Sequence, residues 1–271
     1  MVQNNSSPPK EAYKLYSIII ELGAARSGNP PATLGRAIHA QVLHWIQLGD
    51  PQLAETIHTS QNPPISLSGL QGNRRKEKNY AGDRFYFRIC FLQGHLIQPL
   101  LKGIEAWGEE KLILGQFPFV IRQCYFLSGT HSLARSTDYE NLVNHSPVSQ
   151  TISLSFLSPT SFKQQKHIQL LLTPDLVFNS LLRKWNSFAP EELHFPLIEW
   201  DGFVSAFDLR SYALKMEGGA EVGSQGWVKY CFSDSEQARI ASILAQFAFY
   251  SGVGRKTTMG MGQVQLLLRN N

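Results

Sequence analysis

The sequence predicts an α+β fold built from two βαββαβ-like halves, and three observations lead to that reading. Runs that read as strands alternate with runs at helical spacing, in the order β, α, β, α, β, β up to about residue 127. A polar stretch, 129–149, interrupts the pattern. A comparable succession starts again at residue 151. Such a pattern fits layers of helices on antiparallel sheets.

Each element has its own signal. Residues 13–22 (YKLYSIIIEL) are apolar and β-branched, which predicts a first strand. Thr33 can cap a helix to about Leu48, with Leu34, Ala37, Ile38, Val42, Trp45 and Ile46 on one face. Asp50-Pro51 predicts a second short helix ending near His58, with Asp at the cap and Pro in the first turn. Strands are expected at 84–92, 111–115 and 119–127, and a helix at 94–107. In the second half, strands are expected at 151–157, 195–207, 227–232 and 263–268. A helix starts at Thr173-Pro174-Asp175 and carries Val177, Phe178, Leu181, Leu182 and Trp185 on one stripe. Ser233 with Glu236 suggests a capping box for a helix to about Tyr250 that is apolar nearly all round and so buried on most sides. The division expected is an N-terminal domain 1–128, a connection 129–149 and a C-terminal domain 150–271.

Composition sets limits. The chain has 271 residues, 43% hydrophobic and 17% charged, which is globular rather than disordered. A net charge of +4 permits an anionic partner without demanding one. Cys90, Cys124 and Cys231 are far apart and form no CxxC pair, which argues against a disulfide framework or a zinc ribbon and for a cytoplasmic setting. The N-terminus lacks the apolar core of a signal peptide, and no apolar run is long enough to suggest a membrane span, so a soluble chain is expected.

The densest motif is GVGRKTTMGMG at 252–262. Gly252, Gly254, Gly260 and Gly262 allow close backbone approach, and successive N–H groups can form an anion nest. Arg255 and Lys256 add charge, and Thr257 and Thr258 add hydroxyls, for phosphate contacts. The spacing is not that of a Walker loop. A helix cap followed by a plain loop is the alternative for the glycines alone.

This motif, followed by a short strand, is similar to the C-terminal glycine-rich motif of the CRISPR-associated repeat endoribonucleases, family six, of the glycine-loop RAMP group. The resemblance extends to LGRAIHA at 34–40, DPQLA at 50–54, Ile57-His58, PISLSGL at 64–70, TISLSFLSP at 151–159 and the helix at 173–185. It implies tandem ferredoxin-like (βαββαβ) domains and metal-independent cleavage of precursor CRISPR RNA within each repeat. It further implies handover of the guide RNA to an effector complex, with no cofactor and no membrane partner.

Metal-free cleavage uses the RNA's own 2′-OH, which needs one group to take a proton, another to give one, and charge stabilisation at phosphate. Histidine suits the proton work. His58 is the first candidate, because the family places its active histidine near the end of this helix and a helix C-terminus favours imidazolium. His39 is the second, three residues after Arg36 and able to share a face with it. His44 falls on the polar side, and the other five histidines lie outside the matching motifs. Some family members carry a tyrosine in the first helix and a lysine soon after the histidine. Here Val42-Leu-His-Trp45 and Asn62-Pro-Pro-Ile65 stand at those places. Ser60, Ser66 or Ser68, Arg36, or the basic run Arg74, Arg75, Lys76 and Lys78 can compensate, and that run can also line an RNA path. The alternative reading is a non-catalytic subunit that holds repeat RNA. No HExxH, metal-spaced His/Cys cluster or Gly-x-Ser-x-Gly is present.

Overall fold

The β-branched run near the N-terminus becomes the central strand of a first sheet. In this computed structural model, which describes residues 10–72, 75, 77–216 and 219–267, it forms β1 (Lys14–Ala24). The chain continues through α1 (Gly35–Gly49), α2 (Pro51–Thr59), β2 (Ile65–Leu67), β3 (Gln71–Gly72), β4 (Arg84–Phe91), α3 (Ile97–Trp107), β5 (Leu112–Leu114), β6 (Phe117–Tyr125) and β7 (Arg135–Asp138). These strands form one antiparallel sheet in the order β2-β4-β1-β6-β5, with β3 on β4 and β7 on β1. Alternation decides its faces. Ile18, Ile20 and Leu22 of β1 and Phe85, Phe87 and Ile89 of β4 pack with Ile38, Val42, Trp45 and Ile46 of α1 in one core.

The second half runs α4 (Tyr139–His145), β8 (Thr151–Thr160), β9 (Phe162–Gln164), β10 (His167–Gln169), α5 (Pro174–Phe188), β11 (Phe203–Met216), β12 (Gly219–Cys231), α6 (Ser235–Ser251) and β13 (Val264–Leu266). Its sheet has the order β11-β12-β8-β13, all antiparallel. With α5 and α6 on one face, this is the βαββαβ arrangement expected. Leu154, Phe156, Val228 and Tyr230 meet Phe178, Trp185 and Phe247 in a second core. Leu15, Cys90 and Leu92, on the face of the first sheet turned away from α1, belong to that second core. The helix expected to be buried all round is α6, and it packs on β8 and β13 and also on β1, β2 and β4. The fold is thus two ferredoxin-like units joined through α6.

Several local expectations are corrected. Strand β11 begins at Phe203, not residue 195. The alternation at 195–200 serves a strap over α5: Phe195 stacks on Trp185 and Trp200 donates to the Asn179 carboxamide at 3.0 Å. Asp234, not Ser233, caps α6 by accepting from the Gln237 N–H at 2.7 Å, and Glu236 pairs with Arg239. No side chain caps α1, whose N-cap residue is Leu34. The stretch 129–149 holds β7 and α4, which contribute Tyr139 and Leu142 to the second core. Arg74 and Lys76 lie outside the described residues. Among the described residues no helix is long and apolar enough to cross a membrane.

Candidate functional site

A one-residue connection joins the two packed helices that carry the candidate histidines. The Asp50 N–H closes α1 on the Ile46 carbonyl at 2.7 Å, while the Asp50 carboxylate accepts from the Leu53 N–H at 3.0 Å and opens α2, with Pro51 in its first turn. Carboxylate at a helix start and proline at the first position both favour this break. The sharp turn folds the last turn of α2, carrying exposed His58, back beside half-buried His39 of α1. Burial, then the charge of His58, holds the His39 imidazole below its usual pKa of 6.5. The two sequence candidates are therefore near enough for the charge of one to act on the other. Arg36 lies exposed one turn earlier on α1.

The glycine-rich segment docks on the start of the same helix. A Cβ on Gly35 would sit 1.9 Å from the Met259 carbonyl oxygen, so only glycine admits this approach. His39 follows Gly35 by four residues and hence lies one turn along from the contact. Gly260 pairs with Ser68 as a parallel bridge, which ties the segment to the edge of the first sheet. A cleft of about 340 Å³ opens here, lined by Gly35, Arg36, Gln71, Met259, Gly260 and Gln263 among others.

The expectation of an open anion nest is corrected. Val253 N–H bonds Gly262 O at 2.9 Å, Gly254 N–H bonds Ser180 Oγ at 3.0 Å, Arg255 N–H bonds Ser161 O at 3.1 Å, and Gly262 N–H bonds Pro159 O at 3.1 Å. These donors already have protein acceptors. Gly262, at φ 69°, shows why the segment needs glycine: a Cβ would meet the Val253 carbonyl at 2.1 Å. The side chains are engaged as well. Both Arg255, at 2.7 Å, and Lys256 pair with Glu221 of β12. The hydroxyl of Thr257, a buried residue, accepts from Lys184 at 2.9 Å. Gly252 caps α6. Thr258 is half-buried and Gly260 faces the cleft.

Two further candidates sit apart from the histidines' surroundings. Ser68 is fully buried, and its hydroxyl accepts from Arg88 N–H at 2.8 Å and donates to Gly69 O at 2.8 Å, so it stands behind the cleft, whose lining in this segment starts at Gly69. Arg75 forms a two-point pair with Asp83, at 3.0 and 3.2 Å, and holds that carboxyl well below its usual range. It lines a different hollow with Glu21, Tyr86 and His131.

Sequence reasoning missed the residues that hold this arrangement. Gln263 accepts from Arg88 Nε at 3.2 Å and donates to Leu67 O at 3.0 Å, and Lys184 and Glu221 fix the glycine-rich segment from below. Only the adjacency of Gln263 to Gly262 offered a signal; the others come from distant elements.

Comparison with known proteins agrees with this fold. The family profile "CRISPR-associated endoribonuclease Cas6" matches residues 154–264. A product complex of a Thermus thermophilus Cas6 superposes with a TM-score of 0.81 at 25% identity, covering 94% of this chain and 100% of the other. A Cas6 family model thus matches the second unit of the chain, and the whole fold is that of solved Cas6 structures. A second Cas6 product complex gives a TM-score of 0.75 at 25% identity, with coverage of 94% and 100%. A Mycobacterium tuberculosis CRISPR-associated endoribonuclease Cas6 is 30% identical over 126 residues, a match that spans 44% of this chain and 40% of the relative. A Pyrococcus furiosus Cas6-related protein, at 17% identity and a TM-score of 0.62, shares the fold. The profile match covers the second unit up to β13, whereas the two candidate histidines lie in the first.

Proposed function

We propose that this chain cuts precursor CRISPR RNA within its repeats, with His39 and His58 as the proton-transfer pair. The observation that carries this is their placement on the two packed helices α1 and α2, the first of which gives Gly35 and Arg36 to the cleft that the glycine-rich segment closes. The 2′-oxygen attacks the adjacent phosphorus, and the bond from phosphorus to the 5′-oxygen breaks. The products are a 2′,3′-cyclic phosphate and a 5′-OH. His39, with its depressed pKa, is neutral near pH 7 and takes the 2′-OH proton. His58, exposed at a helix C-terminus, gives a proton to the leaving 5′-oxygen. Arg36 offsets charge on the phosphate oxygens. In this reading repeat RNA enters along the cleft past Gly260 and Thr258, and the guide RNA passes to an effector complex.

The test uses purified chain and its repeat RNA in EDTA, beside the same RNA with a 2′-deoxy scissile nucleotide. Cutting of the first alone is expected, and cutting of both would exclude attack by the 2′-OH. A second reading, a subunit that holds repeat RNA without cutting, is favoured by buried Val42 at the place where some members carry tyrosine. Binding of both RNAs with cutting of neither establishes that reading instead.

A further inference from the structure

Four arginines, Arg75, Arg84, Arg239 and Arg255, stand within ion-pair distance of a carboxylate. Arg88 and Arg135 differ. Among the described residues neither has a carboxylate within that distance, yet both press against one ring: Arg88 lies 4.3 Å and Arg135 4.6 Å from the centroid of Phe249. Arg88 is only 4% exposed. Its Nε and Nη2 share the single Gln263 carboxamide oxygen, which leaves donors of its five-donor fork over. Arg135 is exposed and donates to the Ser132 carbonyl at 3.4 Å. Two like charges at one ring, one of them buried, call for an anion.

Tyr250 supplies a third group. It is 6% exposed. Burial and the charge of Cys90 raise its pKa, while the charges of Arg135 and Arg88, both of which lie on the adjoining Phe249 ring, oppose that rise. The ring of Tyr250 packs edge-on against Phe249. From β4, β7 and α6 the groups thus converge where the two units meet.

We infer that Arg88, Arg135 and the Tyr250 hydroxyl form a second phosphate site, separate from the histidine pair, that holds a backbone phosphate of RNA. The occupant rests on the reading of this chain as an RNA-binding protein; the site itself does not. Two guanidinium groups and a hydroxyl are donors only toward an incoming oxygen anion, and arginine forks match phosphate geometry. Phe87 and Ile89, the neighbours of Arg88, face the α1 core, so Arg88 points to the opposite side of the sheet from His39.

Inorganic pyrophosphate tests the site without RNA. Arg135→Gln and Tyr250→Phe leave the Arg88–Gln263 contact in place, so they preserve the fold. Thermal unfolding of wild-type protein should shift upward with pyrophosphate, with apparent affinity about tenfold lower in Arg135→Gln. Equal shifts in wild type and both variants, or none in wild type, overturn the site. The second arm measures binding of 2′-deoxy-blocked repeat RNA across a salt series. Arg135→Gln should weaken it about tenfold and make the log–log salt slope shallower by about 0.7. Pyrophosphate binding with an unchanged RNA slope overturns RNA as the occupant. Wild-type protein that binds no repeat RNA sinks the proposed function, while the pyrophosphate arm still reads the site.

Discussion

Arg88 of the first unit reaches the carboxamide oxygen of Gln263 in the second, with Nε at 3.2 Å, and Gln263 returns its N–H to Leu67 at 3.0 Å. The Ser68–Gly260 bridge lies immediately beside this exchange. A buried guanidinium and a buried amide depend on each other, so their substitutions should not add. A double-mutant cycle with Arg88→Met and Gln263→Leu, read by urea unfolding, should give a coupling of about 1–3 kcal/mol. Additive losses would mean that each residue acts through other contacts.

The histidine pair sets the pH dependence. His39 lies below 6.5 through burial and through His58, so as the proton acceptor it should give a rising limb in cleavage rate with a midpoint below 6.5. His39→Ala should lower single-turnover rate roughly 10²–10⁴-fold with little change in RNA affinity. Removing His58 takes away a like charge, so the His39 ring should titrate closer to 6.5 in His58→Ala, as followed by NMR. An unmoved titration would show that burial alone sets it.

Gly35 carries the contact between α1 and the glycine-rich segment. Gly35→Ala places a methyl group 1.9 Å from the Met259 carbonyl, which the backbone cannot accept without moving. Alanine favours the helix by up to about 1 kcal/mol, but the forced separation should cost about 1–3 kcal/mol, so a net loss is expected in urea. Repeat-RNA affinity should fall with it. A more stable variant would show that the segment shifts freely.

Glu221 pairs with both cations that the sequence marks for phosphate. Glu221→Gln keeps the shape and removes the charge that Arg255 and Lys256 share. Both cations then become available, and RNA affinity at low salt should rise several-fold, with a salt slope steeper by about one unit. Unchanged affinity would place the RNA path away from this side of the segment.

Lys184 donates to Ser251 O at 2.6 Å and to the Thr257 hydroxyl at 2.9 Å, and burial of its amine lowers its pKa to about 7. The sign follows from proton uptake. Between pH 7 and 10.5 the unfolded chain holds the proton that the folded chain has released, so folding becomes more favourable as pH rises through this window. A neutral amine still has two hydrogens for its two acceptors. Relative to Lys184→Met, wild type should gain stability from pH 7 to 9.5, on the order of one or a few kcal/mol. A constant difference across that window would show that the amine keeps its proton.

Local signals in the sequence carried much of this. The stripe of Ile38, Val42, Trp45 and Ile46, the Asp50-Pro51 start and the β-branched core of β1 all encode elements through neighbours a few residues away. Position 195 misled because Phe195 and Trp200 are apolar for packing against α5, which strand alternation imitates. The histidines were legible as residues, but their meeting depends on the angle between two helices. The pairing of Glu221 with Arg255 and Lys256 joins positions about 35 residues apart through sheet register and segment geometry, which no local pattern records.

The Ser68–Gly260 bridge also orders events in time. Synthesis proceeds from the N-terminus, and domains fold as they emerge. Residues 67, 68 and 88 leave the ribosome long before residues 260–263 exist. The first sheet must therefore wait with the Leu67 carbonyl and the Arg88 guanidinium unanswered while nearly all of the second unit is being made. Closure of the cleft is a late act of biogenesis, and a stalled nascent chain would present that unfinished edge to any chaperone in reach.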